Sequence, residues 1–210
     1  MNLDSVYFAV LDGNAKLAAA ETTAALAAGV AAADILHEAC IPAMDEVGCQ
    51  FEAGDKFVPE MLLSARAMQG VVQLLRPYLM DEQASPIGVV LLGTVAGDMH
   101  DIGKNLVGMM MEGAGFRVID IGVDAAPQRF VDAIRQHKPD IVGLSALLTT
   151  TMPMAGVTIS AIEQAGLRKQ VKIMVGGAPT TQEFADAVGA DGYAADCGAA
   201  PRVAKALLGM

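Results

Sequence analysis

From residue 5 to about 80 the chain repeats Ala, Leu and Met at three- and four-residue spacing, with no alternating apolar–polar run. That is the period of helices packed on one side. Breaks fall at Asp12-Gly13-Asn14, at Gly29, from Gly48 through Gly54-Asp55, and at Pro59. They predict helices over roughly 4–11, 14–28, 31–48 and 59–79. Pro59 suits the first turn of the last helix, where its missing N–H leaves no bond unmade. The polar stretch 80–86, ending in Pro86, reads as a linker.

Beyond it the texture changes. Short β-rich apolar runs at 87–92, 116–121, 141–145, 171–175 and 192–195 alternate with helical patterns near 103–114, 127–137, 154–166, 181–188 and 199–208. Five β-α units in succession predict a parallel sheet with helices on both faces. The expected architecture is therefore an α/β protein: a helical bundle over residues 1–84, then a five-stranded, flavodoxin-like (Rossmann-type) parallel sheet over 85–210. Such sheets bind ligands outside the carboxyl ends of their strands, where strand order reverses. The loops of interest are 93–103, 122–126, 145–152 and 176–180.

Composition narrows the function. A net charge of -10 is poor for a nucleic-acid surface. No leader pattern or apolar run of about 20 residues is present, which points to a cytoplasmic protein without a membrane partner. Cys40, Cys49 and Cys197 form no metal-ligand spacing and read as reduced, buried small hydrophobes.

The loop after the first strand is Gly93-Thr94-Val95-Ala96-Gly97-Asp98-Met99-His100-Asp101-Ile102-Gly103-Lys104-Asn105. It is neither a Walker loop nor a dinucleotide fingerprint, because the glycine spacing is wrong and Asn105 stands where a hydroxyl is needed. It does place an imidazole two residues after a carboxylate. A carboxylate that accepts from one ring nitrogen fixes the tautomer and leaves the other for a metal. A solvated loop histidine is the competing reading, and the loop by itself favours that one.

Asp98-x-His100-x-x-Gly103, then Ser145-Ala146-Leu147, then Gly176-Gly177 resembles the D-x-H-x-x-G, S-x-L, G-G signature of cobalamin-binding domains in methionine synthase, base-off mutases and corrinoid methyl-transfer proteins. The resemblance implies a cobalamin cofactor with His100 as the lower axial ligand to cobalt and Asp98 as its partner. It implies that Gly97, Met99, Asp101 and Ile102 belong to the same ligand loop. Gly103 would lie beside the cofactor's nucleotide tail, Ser145 and Leu147 would line the tail's base, and Gly176-Gly177 would admit the cofactor. Thr151 would complete an Asp-His relay, with Thr149 nearby; helix capping ahead of Pro153 is the equal alternative for these threonines. Residues 1–80 resemble the helical cap of methyl-transfer members, and by position Phe51 and Val58 would shield the methyl group. Phe57 and Met61 read as core, His37 and His137 as structural or exposed, and Asp101 and Lys104 as helix-capping or solvent-facing.

The function so implied is a methyl shuttle, and more a corrinoid subunit than a complete enzyme. Co(I) accepts a methyl group from a substrate-specific corrinoid methyltransferase, and methyl-Co(III) donates it through a second, folate- or thiol-directed methyltransferase. A reductive activase is a further implied partner. The alternatives are the small subunit of an adenosylcobalamin-dependent mutase, whose upper face would have to open to a partner barrel, and a cobalamin-responsive sensor.

Overall fold

The computed structural model describes residues 3–79 and 86–210. It separates into a helical unit, residues 1–86 with 113–115, and an α/β unit, residues 87–112 and 116–210. Of the stretch expected to be a linker, and of the boundary placed at 84/85, all but Pro86 lies outside the described residues.

The helical unit holds α1 (Asp4–Leu11), α2 (Ala15–Ala27), a short α3 (Ala32–Asp34), α4 (Ile41–Ala53) and α5 (Val58–Leu79), with a π-helical turn, Ile35–Cys40, joining α3 to α4. Its core is formed by Val6, Val10, Ile35, Met44, Val47, Met61, Met68, Val71 and Leu75. The helix predicted to end at Gly48 runs five residues further. Gly48 is buried within it, whereas Gly54 adopts φ +81° and terminates it. Helix α5 opens where Pro59 predicts, and the Glu60 carboxylate accepts the Phe57 N–H at 2.9 Å, half of a capping box. Two expectations fail in this unit. Phe57 is 66% exposed rather than core, because it is spent as the residue ahead of α5. Cys49 faces solvent, whereas Cys40 and Cys197 are buried, and burial pushes their thiols up to about 12 and about 11.

In the α/β unit the predicted alternation is present: β1 (Val89–Thr94), α6 (Ile102–Gly113), β2 (Arg117–Asp120), α7 (Pro127–His137), β3 (Ile141–Ser145), α8 (Pro153–Gln164), β4 (Lys172–Gly176), α9 (Gln182–Val188), β5 (Gly192–Ala194) and α10 (Ala199–Leu207). A 3-10 turn, Arg168–Gln170, precedes β4. All pairings are parallel, in the order β2-β1-β3-β4-β5. Phe130, Ile134, Val142, Leu144, Ile159, Ile162 and Ile173 belong to one buried cluster. The chain leaves β1 for β2 on one side and continues to β3 on the other, so the topological switch point lies between β1 and β3.

Candidate functional site

Strand register brings the separated sequence elements together. Thr94 pairs with Ser145, and Ser145 pairs with Gly176, so the carboxyl ends of β1, β3 and β4 form one row. The loops that leave this row carry Asp98 and His100, Leu147 to Thr151, and Gly177.

Asp98 is the hub. Its side chain is fully buried. Oδ1 accepts the His100 backbone N–H at 3.0 Å and faces His100 Nδ1 at 2.7 Å. Oδ2 accepts the Leu147 N–H at 2.8 Å and the Thr151 hydroxyl at 2.7 Å. Burial by itself would raise the pKa of this carboxyl. The donors from Leu147, Thr151 and His100 outweigh it and hold the group well below the usual carboxylate range. An ionised carboxylate only accepts, so Nδ1 carries the imidazole proton and Nε2 keeps its lone pair. The ring is half-exposed.

Thr151 also lies 2.9 Å from the Leu148 carbonyl, which helps shape the turn into α8. Met152 holds the N-cap position of α8 and no side chain caps that helix, so the capping reading of Thr151 is not met; its hydroxyl has two acceptors in reach, the Asp98 carboxylate and the Leu148 carbonyl. Thr149 is exposed and lies outside the hydrogen-bond set of Asp98.

Around the imidazole the surface is apolar. Met99 is 68% and Ile102 77% exposed, and Leu147 and Leu148 are each about two-fifths exposed. Large hydrophobics exposed together in the loops of one sheet edge mark a binding surface. At Gly103 no heavy atom lies within 4 Å of where a Cβ would sit. Gly177 is different: at φ +127°, a Cβ there would lie 1.9 Å from the Ala146 carbonyl oxygen. Its lack of a side chain is demanded by the protein's own backbone before any ligand is considered. The Thr180 hydroxyl donates to the Gly177 carbonyl at 2.6 Å and closes that turn.

The remaining loop residues divide. The Asp101 carbonyl accepts the Asn105 N–H at the start of α6. Lys104 is buried and paired with the Asp120 carboxylate rather than facing solvent, since its stem packs inward and its ammonium reaches the end of β2. His37 is exposed and His137 partly buried at the end of α7. Phe51, partly buried on α4, and Val58, 39% exposed at the start of α5, belong to the helical unit, and their shielding role rests on the resemblance alone. Sequence reasoning missed Thr94, whose buried hydroxyl donates to the His100 carbonyl at 2.9 Å, and Asp124 in the β2–α7 loop.

One imidazole backed by one carboxylate supplies a single coordination bond, which suits a metal that arrives with its own equatorial ligands. The exposed Met99, Ile102, Leu147 and Leu148 on the loops that carry or adjoin this pair offer apolar contacts to such a ligand. Fold and site together define a cobalamin-binding protein. A family model described as B12 binding domain matches residues 88–207, and a second of the same description matches residues 3–76. The chain is 41% identical over 187 residues to trimethylamine corrinoid protein 1 of Methanosarcina mazei, covering 88% of this chain and 87% of that one. Dimethylamine corrinoid protein 1 of Methanosarcina acetivorans is 43% identical over 176 residues, 83% of each chain. Among solved structures, the methanol:cobalamin methyltransferase complex MtaBC from Methanosarcina barkeri contains a chain that superposes with a TM-score of 0.84, at 26% identity, over 99% of this chain and 80% of that one. The chain belongs to the B12-binding corrinoid proteins of methyltransferase systems and acts as a methyl carrier. Among the described residues no helix is long and apolar enough to cross a membrane.

Proposed function

We propose that this carrier serves a methylamine methyltransferase system and that His100 Nε2 is the protein's ligand to the corrinoid metal. The observation that carries the ligand assignment is the 2.7 Å contact between His100 Nδ1 and the buried, ionised Asp98, which leaves Nε2 as the other nitrogen of a half-exposed ring. The relatives named for trimethylamine and dimethylamine support the donor class, at higher identity than the methanol system.

When bound, the corrinoid supplies the metal that takes up and gives away the methyl group. The chain's residues hold and tune it. Asp98 orients the ring and favours a proton on Nδ1, and Thr151 and the Leu147 N–H keep Asp98 charged. The partner would be a substrate-specific corrinoid methyltransferase, as in the methanol complex; a second methyltransferase and a reductive activase complete the proposed set.

His100→Ala is expected to retain its fold, because the half-exposed ring packs little, and to bind cobalamin without the absorption changes of imidazole ligation. Methyl uptake from trimethylamine or dimethylamine with the cognate methyltransferase should fall by at least about 100-fold, the upper end of the loss seen when only a partner of a metal ligand is removed. An unchanged spectrum in the variant would refute the ligand assignment. Uptake from methanol alone would refute the donor class.

A further inference from the structure

Asp124 has φ +48°, in the left-handed region where a non-glycine residue costs about 1 kcal/mol or more. Aspartate tolerates this conformation better than most, but it persists only where surroundings dictate it. Here they do. The Asp124 carboxylate Oδ1 accepts the Gly97 N–H at 2.7 Å, and the Asp124 N–H donates to the Asp98 carbonyl at 2.9 Å. The next residue, Ala125, donates to the Thr94 carbonyl at 2.9 Å and forms a parallel bridge with Val95.

These bonds close a ring through Gly97, Asp98 and Asp124 that grips the Ala96–Gly97 and Asp98–Met99 peptides, one on either side of the Gly97-Asp98 pair. Gly97, at φ +79°, is a glycine of the ligand loop held in the left-handed region. Its N–H is the group that Asp124 captures. From the other side, the Thr94 hydroxyl holds the His100 carbonyl.

We propose that Asp124 is a positioning residue for the His100 imidazole: clamping the peptides on either side of the Gly97-Asp98 pair keeps the Asp98 carboxylate, and through it the ring, in the orientation that presents Nε2. The inference rests on the assignment of His100 as ligand. It predicts that loss of the Asp124 carboxylate shifts the balance between imidazole-bound and imidazole-free corrinoid while leaving the fold intact, because Asp124 is solvent-exposed.

The full chain labelled with 15N-histidine is loaded with cob(II)alamin, and the ratio of centres showing a 15N splitting in the electron paramagnetic resonance spectrum to those without it is measured. Asp124→Gly, which accepts φ +48° but has no acceptor, should lower that ratio on the order of fivefold, the equivalent of one ordinary hydrogen bond. Asp124→Asn keeps an oxygen acceptor and tolerates the backbone, so it should stay within about twofold of the parent. Apo-protein melting of both should match the parent. An unchanged ratio in Asp124→Gly, or an equal fall in Asp124→Asn, overturns the inference alone. A parent without the 15N splitting overturns the His100 assignment, and the inference with it.

Discussion

Replacing Asp98 by alanine is expected to destabilise the chain by about 3 kcal/mol at neutral pH, measured by denaturant unfolding of the apo-protein. The carboxylate is fully buried and accepts from Leu147 N–H, the Thr151 hydroxyl and two groups of His100. Bonds to a charged acceptor contribute about 1.5–3 kcal/mol each, but the losses do not add. The Thr151 hydroxyl can turn to the Leu148 carbonyl 2.9 Å away, and the His100 ring is half in water. The Leu147 N–H is the donor left stranded.

The same carboxyl sets an acid limit. Its folded pKa lies below the unfolded one, so its contribution is fully present above about pH 4 and is lost as pH falls from there toward the folded value. Asp98→Asn should be less stable than the parent at pH 7 and should close that gap as the pH drops below 4. A gap that stays constant with pH would contradict the burial and bonding described for this residue.

Gly177→Ala should be as damaging or more so, at about 4 kcal/mol, which is the range of exceptional single substitutions. The added methyl would meet the Ala146 carbonyl oxygen at 1.9 Å and its carbon at 2.8 Å, both backbone atoms of the neighbouring strand end, at a φ of +127°. Neither atom can move without disturbing the register in which Ser145 pairs with Gly176 and the Ala146 N–H donates to the Gly176 carbonyl at 3.1 Å. Gly97→Ala is the internal comparison. Its φ is +79°, yet its methyl would meet only Thr151 Cγ2, at 3.7 Å. That change should cost about 1–2 kcal/mol, from backbone strain alone. Thermal melts of the two apo-proteins should therefore rank Gly177→Ala well below Gly97→Ala. The reverse order would mean that the turn after β4 relaxes more freely than its packing indicates.

The strand pattern was legible because parallel strands buried on both faces are written as continuous apolar runs, such as 141–145 and 171–175, bounded by glycine and polar residues. The contact between Asp98 and His100 could be drawn from the sequence because the two lie two residues apart, although the loop alone favoured a solvated histidine, and the alignment of Ser145 with Gly176 because both fall at strand ends. What escaped depends on tertiary contacts. Nothing local distinguishes Asp124 from any loop aspartate, since its role arises from a bond to Gly97 across 27 positions. Lys104 reads as a surface cation until β2 brings Asp120 to it. Gly48 is a helix breaker by propensity, but packing within the helical unit overrides a preference of about 1 kcal/mol. Phe57 shows the converse, an aromatic residue whose period suggests core and whose position ahead of α5 exposes it.

The central claim is that the imidazole of His100 supplies the protein's bond to the corrinoid metal. The most direct measurement is the electron paramagnetic resonance spectrum of cob(II)alamin bound to protein uniformly labelled with 15N-histidine. The account predicts a doublet splitting from one 15N nucleus, absent in His100→Ala. A triplet from unlabelled nitrogen in the labelled protein, or no nitrogen splitting at all, would contradict it.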